Sequence, residues 1–377
     1  MKKSLLSTAV ITLSLAASCT TKTEIDPLAE SGRTQRTEDL LITLRDKLPS
    51  KGYLIGHQDS PIYGHSWFGD TDRTDVKDVC GAHPALMGFD LGHLELGDEK
   101  NLDGVPFDLM REAIIAQYNR GGVVTLSWHL DNPYTGESSW VESETPNPEE
   151  DSKSVASILE GGEQHDKFNG WLDKVADFLG SLKTEEGVKV PVIFRPWHEN
   201  DGSWFWWGKN LCSIEEYKAL WKMTYNKLKK AGVTNVLYAY SPGNSIPYEE
   251  RYPGDDIIDV VGFDCYCFSS PDLEIEKALE YYTNNMEKNL TDICAFAKAH
   301  NKAAVVSETG FEGIPVDDWW TNTLMPVLNR HEIAYVLFWR NAYDKPTHFY
   351  MSYPGHSSTE DFVKFYNDPK TLFIGDF

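Results

Sequence analysis

Val188-Lys-Val-Pro-Val-Ile-Phe-Arg-Pro-Trp-His-Glu199, followed by Asn200-Asp-Gly-Ser-Trp-Phe-Trp-Trp-Gly208 and then Ser213-Ile-Glu-Glu216, is the stretch on which the fold turns. A short β-branched and apolar run ends in a polar cluster, and a helix then begins. Pro196 bars a helix at the cluster itself. Ser213 and Glu216 have capping-box spacing, and the amphipathic stretch they open stops at Ala231-Gly232. The same alternation recurs along the chain. Eight such runs can be read: Gly52–Gln58, Pro84–Gly92, Gly122–His129, Val188–Glu199, Asn235–Gly243, Ile257–Tyr266, Ala303–Gly310 and Ile333–Asn341. Helical periodicity lies between them, as in Phe107–Tyr118, which stops at Gly121-Gly122, and in Asp317–Arg330.

Near-continuous apolar strands, each followed by a helix, predict a parallel sheet closed into a (β/α)8 TIM barrel. An open doubly wound sheet would favour a glycine-rich phosphate turn after its first strand. That turn instead reads Gly56-His57-Gln58-Asp59. No linker or low-complexity tract divides residues 37–377, so they are expected to form a single catalytic domain. The polar stretch 135–162 is expected to be a long loop after the third strand.

The ends and bulk of the 377-residue chain narrow the function. Residues 1–18 have the Lys2-Lys3 start, uncharged apolar middle and small-residue end of an export signal. Cys19 follows directly and is expected to be lipidated, with residues 19–36 as a polar linker. The expected location is the cell envelope of a Gram-negative bacterium, facing the periplasm, with the lipid as the only membrane attachment. Losing Lys2 and Lys3 takes the net charge from −23 to −25. Such acidity excludes nucleic acid as a partner and favours a neutral substrate. Of the six cysteines, five remain beside Cys19, an odd number, and Cys265-x-Cys267 has no second pair to make a zinc site. They read as packing residues.

In such a barrel, polar residues at strand C-termini face the active site. These are His57, Asp90, His129, Glu199, Asp264, Glu308 and Arg340. Glu199 ends the fourth run and is followed by an aromatic string, Trp204-Phe-Trp-Trp207, of which at least one ring is expected in the core. Exposed rings of this kind stack on the C–H faces of sugars. Glu308 ends the seventh run. Glycosidic hydrolysis needs one carboxylic acid to protonate the leaving oxygen and a second carboxylate for the anomeric carbon. Burial among tryptophans would raise the pKa of Glu199, while Arg195 or Tyr266 nearby would favour the charged form of Glu308. Neither a metal nor a cofactor is expected: the histidines lack HxH spacing, and no second histidine follows His198-Glu199 as in a metalloprotease helix.

At these residues the chain resembles glycoside hydrolase family 26, a clan A family made largely of β-mannanases, from about Gly52 to Tyr343. Arg195 through Trp207 matches the family's Arg-Pro-x-His-Glu-Met-Asn-Gly-x-Trp-Phe-Trp-Trp string, departing only at Asn200-Asp201. The resemblance implies a retaining β-1,4-mannanase that acts on mannan polysaccharide or oligosaccharide, either internally or by releasing mannobiose. It implies Glu199 as acid/base, Glu308 as nucleophile, and substrate binding by Arg195, His198 and further residues. His129 would line the −1 sugar, Tyr266 would hydrogen-bond the nucleophile, and Trp339 would floor the −1 site. Arg340 would reach towards −2, and Trp204 would lie on the leaving-group side. Rival expectations are another family 26 specificity, β-1,3-xylan or mixed-linkage glucan, or a glycan-binding lipoprotein that has lost catalysis.

Overall fold

The computed structural model describes residues 26–141, 148–244 and 247–377. The leader, Cys19, the first part of the expected linker and residues 142–147 of the expected loop lie outside the described residues.

Eight parallel strands close into a barrel: β1 (Tyr53–Gln58), β2 (Leu86–Asp90), β3 (Val123–Ser127), β4 (Val192–Arg195), β5 (Val236–Tyr240), β6 (Val260–Cys267), β7 (Ala303–Phe311) and β8 (Tyr335–Phe338). Each pairs with the next, and β8 returns to β1 with Leu54 opposite Tyr335 and His57 opposite Phe338. Every expected run coincides with one strand, β6 and β7 each extending one residue past it. A short extra strand, Thr371–Leu372, fits beside the start of β1. The strands are buried on both faces, as helices on the outside and side chains on the inside require.

Two expectations are corrected. No helix occurs between β5 and β6 among the described residues, which there form turns and irregular chain. The stretch expected as a loop also carries two short helices, Pro148–Asp151 and Ser154–Ile158.

The floor of the barrel is closed by a helix in a segment where no strand–helix signal exists. Residues Gln35–Ile42 continue as a wider turn through Thr43–Lys47, capped by the Thr34 side chain. Leu41, Leu44 and Leu48 of this plug pack on the inward residues of the barrel base, among them Leu54, Ile193 and Val305. The end of the expected linker packs here too. Arg33 pairs with Asp259 at 2.7 Å, just before β6, and Thr34 N donates to Thr234 O. The opposite, C-terminal mouth is left to the site.

Candidate active site

The carboxylates come to the mouth by register. Across a bulge at Phe263/Asp264, β6 places Asp264 opposite Glu308 and Tyr266 opposite Gly310 of β7. The unmatched residue is Ser307 of β7, which shifts the register so that Glu308 comes level with Asp264. Arg195 ends β4 and pairs with Asp264 at 2.9 Å and with Glu308. Tyr266 Oη donates to Glu308 Oε2 at 2.7 Å. Arg195 is only 1% exposed. Its guanidinium donates to Ser241, Asp264 and Glu308, and Arg195 is not among the residues that line the cavity.

Glu199 is delivered by a turn that departs from ordinary backbone. Trp197 and Glu199 both have left-handed φ, 58° and 52°. Non-glycine residues pay roughly 1–2 kcal/mol each for this. Three hydrogen bonds pin the turn: Tyr217 Oη to Trp197 O at 2.6 Å, Trp207 Nε1 to His198 O at 2.8 Å, and Glu199 N to Ser241 O at 2.9 Å. Trp197, Trp206 and Trp207 are fully buried, so the aromatic string is mostly scaffold. Trp204 alone of its tryptophans is exposed, at 39%, and its Nε1 donates to Glu199 Oε2 at 2.7 Å. Burial, with the charge of Glu308 adding to it, pushes the Glu199 carboxyl up to about 7, against the Trp204 hydrogen bond.

Glu199, Asp264 and Glu308 each offer an oxygen within 4.8 Å of the others. Two carboxyl groups this close at one mouth are the equipment that glycosidic hydrolysis requires, one to protonate the leaving oxygen and one to act at the anomeric carbon. Three clustered acids could also attract a cation, but Arg195 already provides the positive charge that two of them face.

A second buried network links Ser127, Asp90, His129 and His198. Burial alone would raise Asp90. The charge of His129 and hydrogen bonds from His129, Ser127 Oγ and Gly92 N hold it down at about 2. Burial would lower His129, but Asp90, 2.6 Å from Nδ1, wins and raises it. His198 is held well below the imidazole range by burial, with Arg195 and His129 adding. Its Nε2 sits 3.0 Å from Nε2 of His129. The arrangement fits a charged His129 donating to a neutral His198. His198 lines the same cavity while being almost wholly buried.

One cavity of about 660 Å³ opens at this mouth, with Trp339 6.2 Å edge-on from the His129 ring. Glu199, Glu308, His129, His198, Trp204, Tyr266 and Trp339 all meet there. Arg340 stands further out, paired with Asp103 at 2.9 Å. His57 and Asp90 are buried behind the wall. Sequence reading missed Trp140, Phe268, His348 and Tyr350, which also line the cavity. They sit on loops without periodic signal. A lone tryptophan in the polar run Glu137-Ser-Ser-Trp140 was the one available clue for Trp140.

The profile of glycosyl hydrolase family 26 matches residues 29–313. A family 26 β-mannanase from Bacteroides ovatus is 52% identical, covering 90% of this chain and 95% of that one, with a TM-score of 0.84. An endo-β-1,4-mannanase from Cellulomonas fimi is 30% identical over 93% of this chain and 78% of its own, with a TM-score of 0.79. A mannan endo-1,4-β-mannosidase of Bifidobacterium adolescentis is 32% identical over 79% of this chain. The chain spans 31% of that relative's length, and 56% of a similarly named Bacillus subtilis protein. A closed barrel with paired glutamates at β4 and β7, under a profile match across most of its length, places this chain in glycosyl hydrolase family 26.

Proposed function

We propose that the chain is a retaining β-1,4-mannan hydrolase, cutting mannan, galactomannan or glucomannan internally or releasing mannobiose. The observation that carries this reading is the pair Glu199 and Glu308, close together but differently surrounded. Glu308 attacks the anomeric carbon while protonated Glu199 gives its proton to the departing glycosidic oxygen, so the C–O bond breaks and a glycosyl ester forms. Tyr266 and Arg195 hold Glu308 on line. Glu199, now a base, takes a proton from water, whose oxygen displaces Glu308 and restores the starting configuration. Trp339 and His129 support the sugar being cleaved, Trp204 its departing neighbour, and Arg340 the sugar beyond. The names of the relatives support mannan as the substrate.

Reducing-sugar release from mannan, β-1,3-xylan, cellulose and lichenan tests this reading. Mannan should be cut at least tenfold faster than the others. Preference for xylan or lichenan would refute the specificity, and binding without release on all four would refute catalysis.

We further propose that Cys19 carries a lipid that tethers the enzyme to the envelope, on the strength of the leader before it. Cys19→Ala should move the protein from the membrane fraction to the soluble one at unchanged specific activity. A variant that stays with the membrane would refute the anchor.

A further inference from the structure

The mechanism leaves unused the run Gln58-Asp59-Ser60 at the end of β1, although its burial is costly. All three residues are at most 2% exposed. Among the described residues, Gln58 Nε2, Asp59 Oδ1 and Ser60 Oγ have no hydrogen-bond partner. Each such orphan costs about 1–3 kcal/mol. Asp59 also has a left-handed φ of 53°, which a non-glycine residue adopts at a cost. Such expense at a strand end facing the mouth points to function.

Asp59 leads outward to Arg340. Its Oδ2 accepts the Tyr63 hydroxyl at 2.7 Å, and Tyr63 Oη is 3.5 Å from Arg340 Nη1. The other arm of Arg340 is held by Asp103 at 2.9 Å. A guanidinium only donates, so Tyr63 can meet it only as an acceptor. A hydroxyl has one proton and rotates freely. Asp59 Oδ2 accepts the hydrogen bond made with that proton, which turns the lone pairs of Tyr63 towards Arg340. With no acceptor behind it, the hydroxyl could rotate its proton towards the cation.

We propose that Asp59 and Tyr63 are positioning residues for Arg340, fixing its guanidinium from behind so that it meets a hydroxyl of the glycone sugar beyond the one being cleaved. The proposal rests on the reading of Arg340 as a sugar-binding residue. Burial, with the charge of Asp103 adding to it, raises the Asp59 carboxyl well above the usual range. A neutral carboxylic acid still accepts through one oxygen, and so does an amide. Asp59→Asn should therefore work where Asp59→Ala does not.

The test is the ratio of kcat/KM on an aryl β-mannobioside, which reaches Arg340, to that on an aryl β-mannoside, which does not. The full chain is used in each variant. Arg340→Ala should lower the ratio most. Tyr63→Phe keeps the ring packing on Phe68 and Tyr343 and should lower the ratio about 5- to 30-fold, as should Asp59→Ala. Asp59→Asn should stay within about twofold of the native ratio, and Tyr63→Phe/Arg340→Ala should be no worse than Arg340→Ala. An unchanged ratio in Arg340→Ala would overturn both the proposal and the reading beneath it. A fall in Arg340→Ala with no fall in Tyr63→Phe, or additive losses in the double variant, would overturn the positioning proposal alone. So would equal losses on both substrates in Tyr63→Phe, which would mark a merely structural role.

Discussion

Glu199 and Glu308 share a cavity but not their neighbours. Glu308 receives Arg195 and Tyr266, while Glu199 receives burial and one indole N–H. That asymmetry was readable in outline, because the two glutamates end apolar runs and one is followed by tryptophans. Asp90 was visible as a strand-end residue, but its pairing with His129 depends on how β2 and β3 align. Separate duties predict separate defects. Glu308→Ala should lose activity on every mannoside. Glu199→Ala should keep the first step on an aryl mannoside with an acidic phenol, then stall, and azide should restart turnover and give a β-mannosyl azide. Azide rescue giving the β product in Glu308→Ala instead would mean the roles are exchanged. The pH profile gives a second check. Glu199 must be protonated to act as acid, so kcat/KM on mannan should fall as pH rises through about 7. The Trp204 hydrogen bond lowers that pKa, so Trp204→Phe should move the alkaline limb to higher pH. A limb that stays or moves down would show that Glu199 does not set it.

Among the elements, the strands were the most legible and their connections the least. Each strand announces itself by an apolar run, because parallel strands are buried on both faces. The left-handed turn at Trp197 and Glu199 has no such signature, since neither residue favours that conformation and the hydrogen bonds holding it come from Tyr217, Trp207 and Ser241. The floor plug was missed at its start for a similar reason. Its first turn reads Gln35-Arg-Thr-Glu38, polar enough to pass for linker, while Leu41, Leu44 and Leu48 do the burying. Leu44 is fully buried at the barrel base, far from the mouth. Leu44→Ala should cost about 2–5 kcal/mol of stability by leaving a cavity, and leave kcat/KM at 25 °C unchanged. Thermal unfolding with activity measured in parallel checks this. An unshifted Tm would mean the plug does not support the fold.

For the whole molecule, the two ends of the barrel have different work. The chain enters at the floor, where Arg33 and Thr34 are fastened and the plug closes the core. All the carboxylates of the site gather at the other end. Stability and chemistry are thus kept apart, which lets loops such as those carrying Trp140, Phe268 and His348 shape the mouth without disturbing the core. A net charge of −23 over the sequence disfavours anionic partners. The central claim is that Glu199 and Glu308 cleave a β-mannosidic bond by double displacement. Its most direct test is proton NMR of the first sugar released from a mannooligosaccharide, recorded before mutarotation equilibrates the anomers. The β anomer should appear first and the α anomer only later. An α anomer appearing first would mean single displacement by water and would contradict the account.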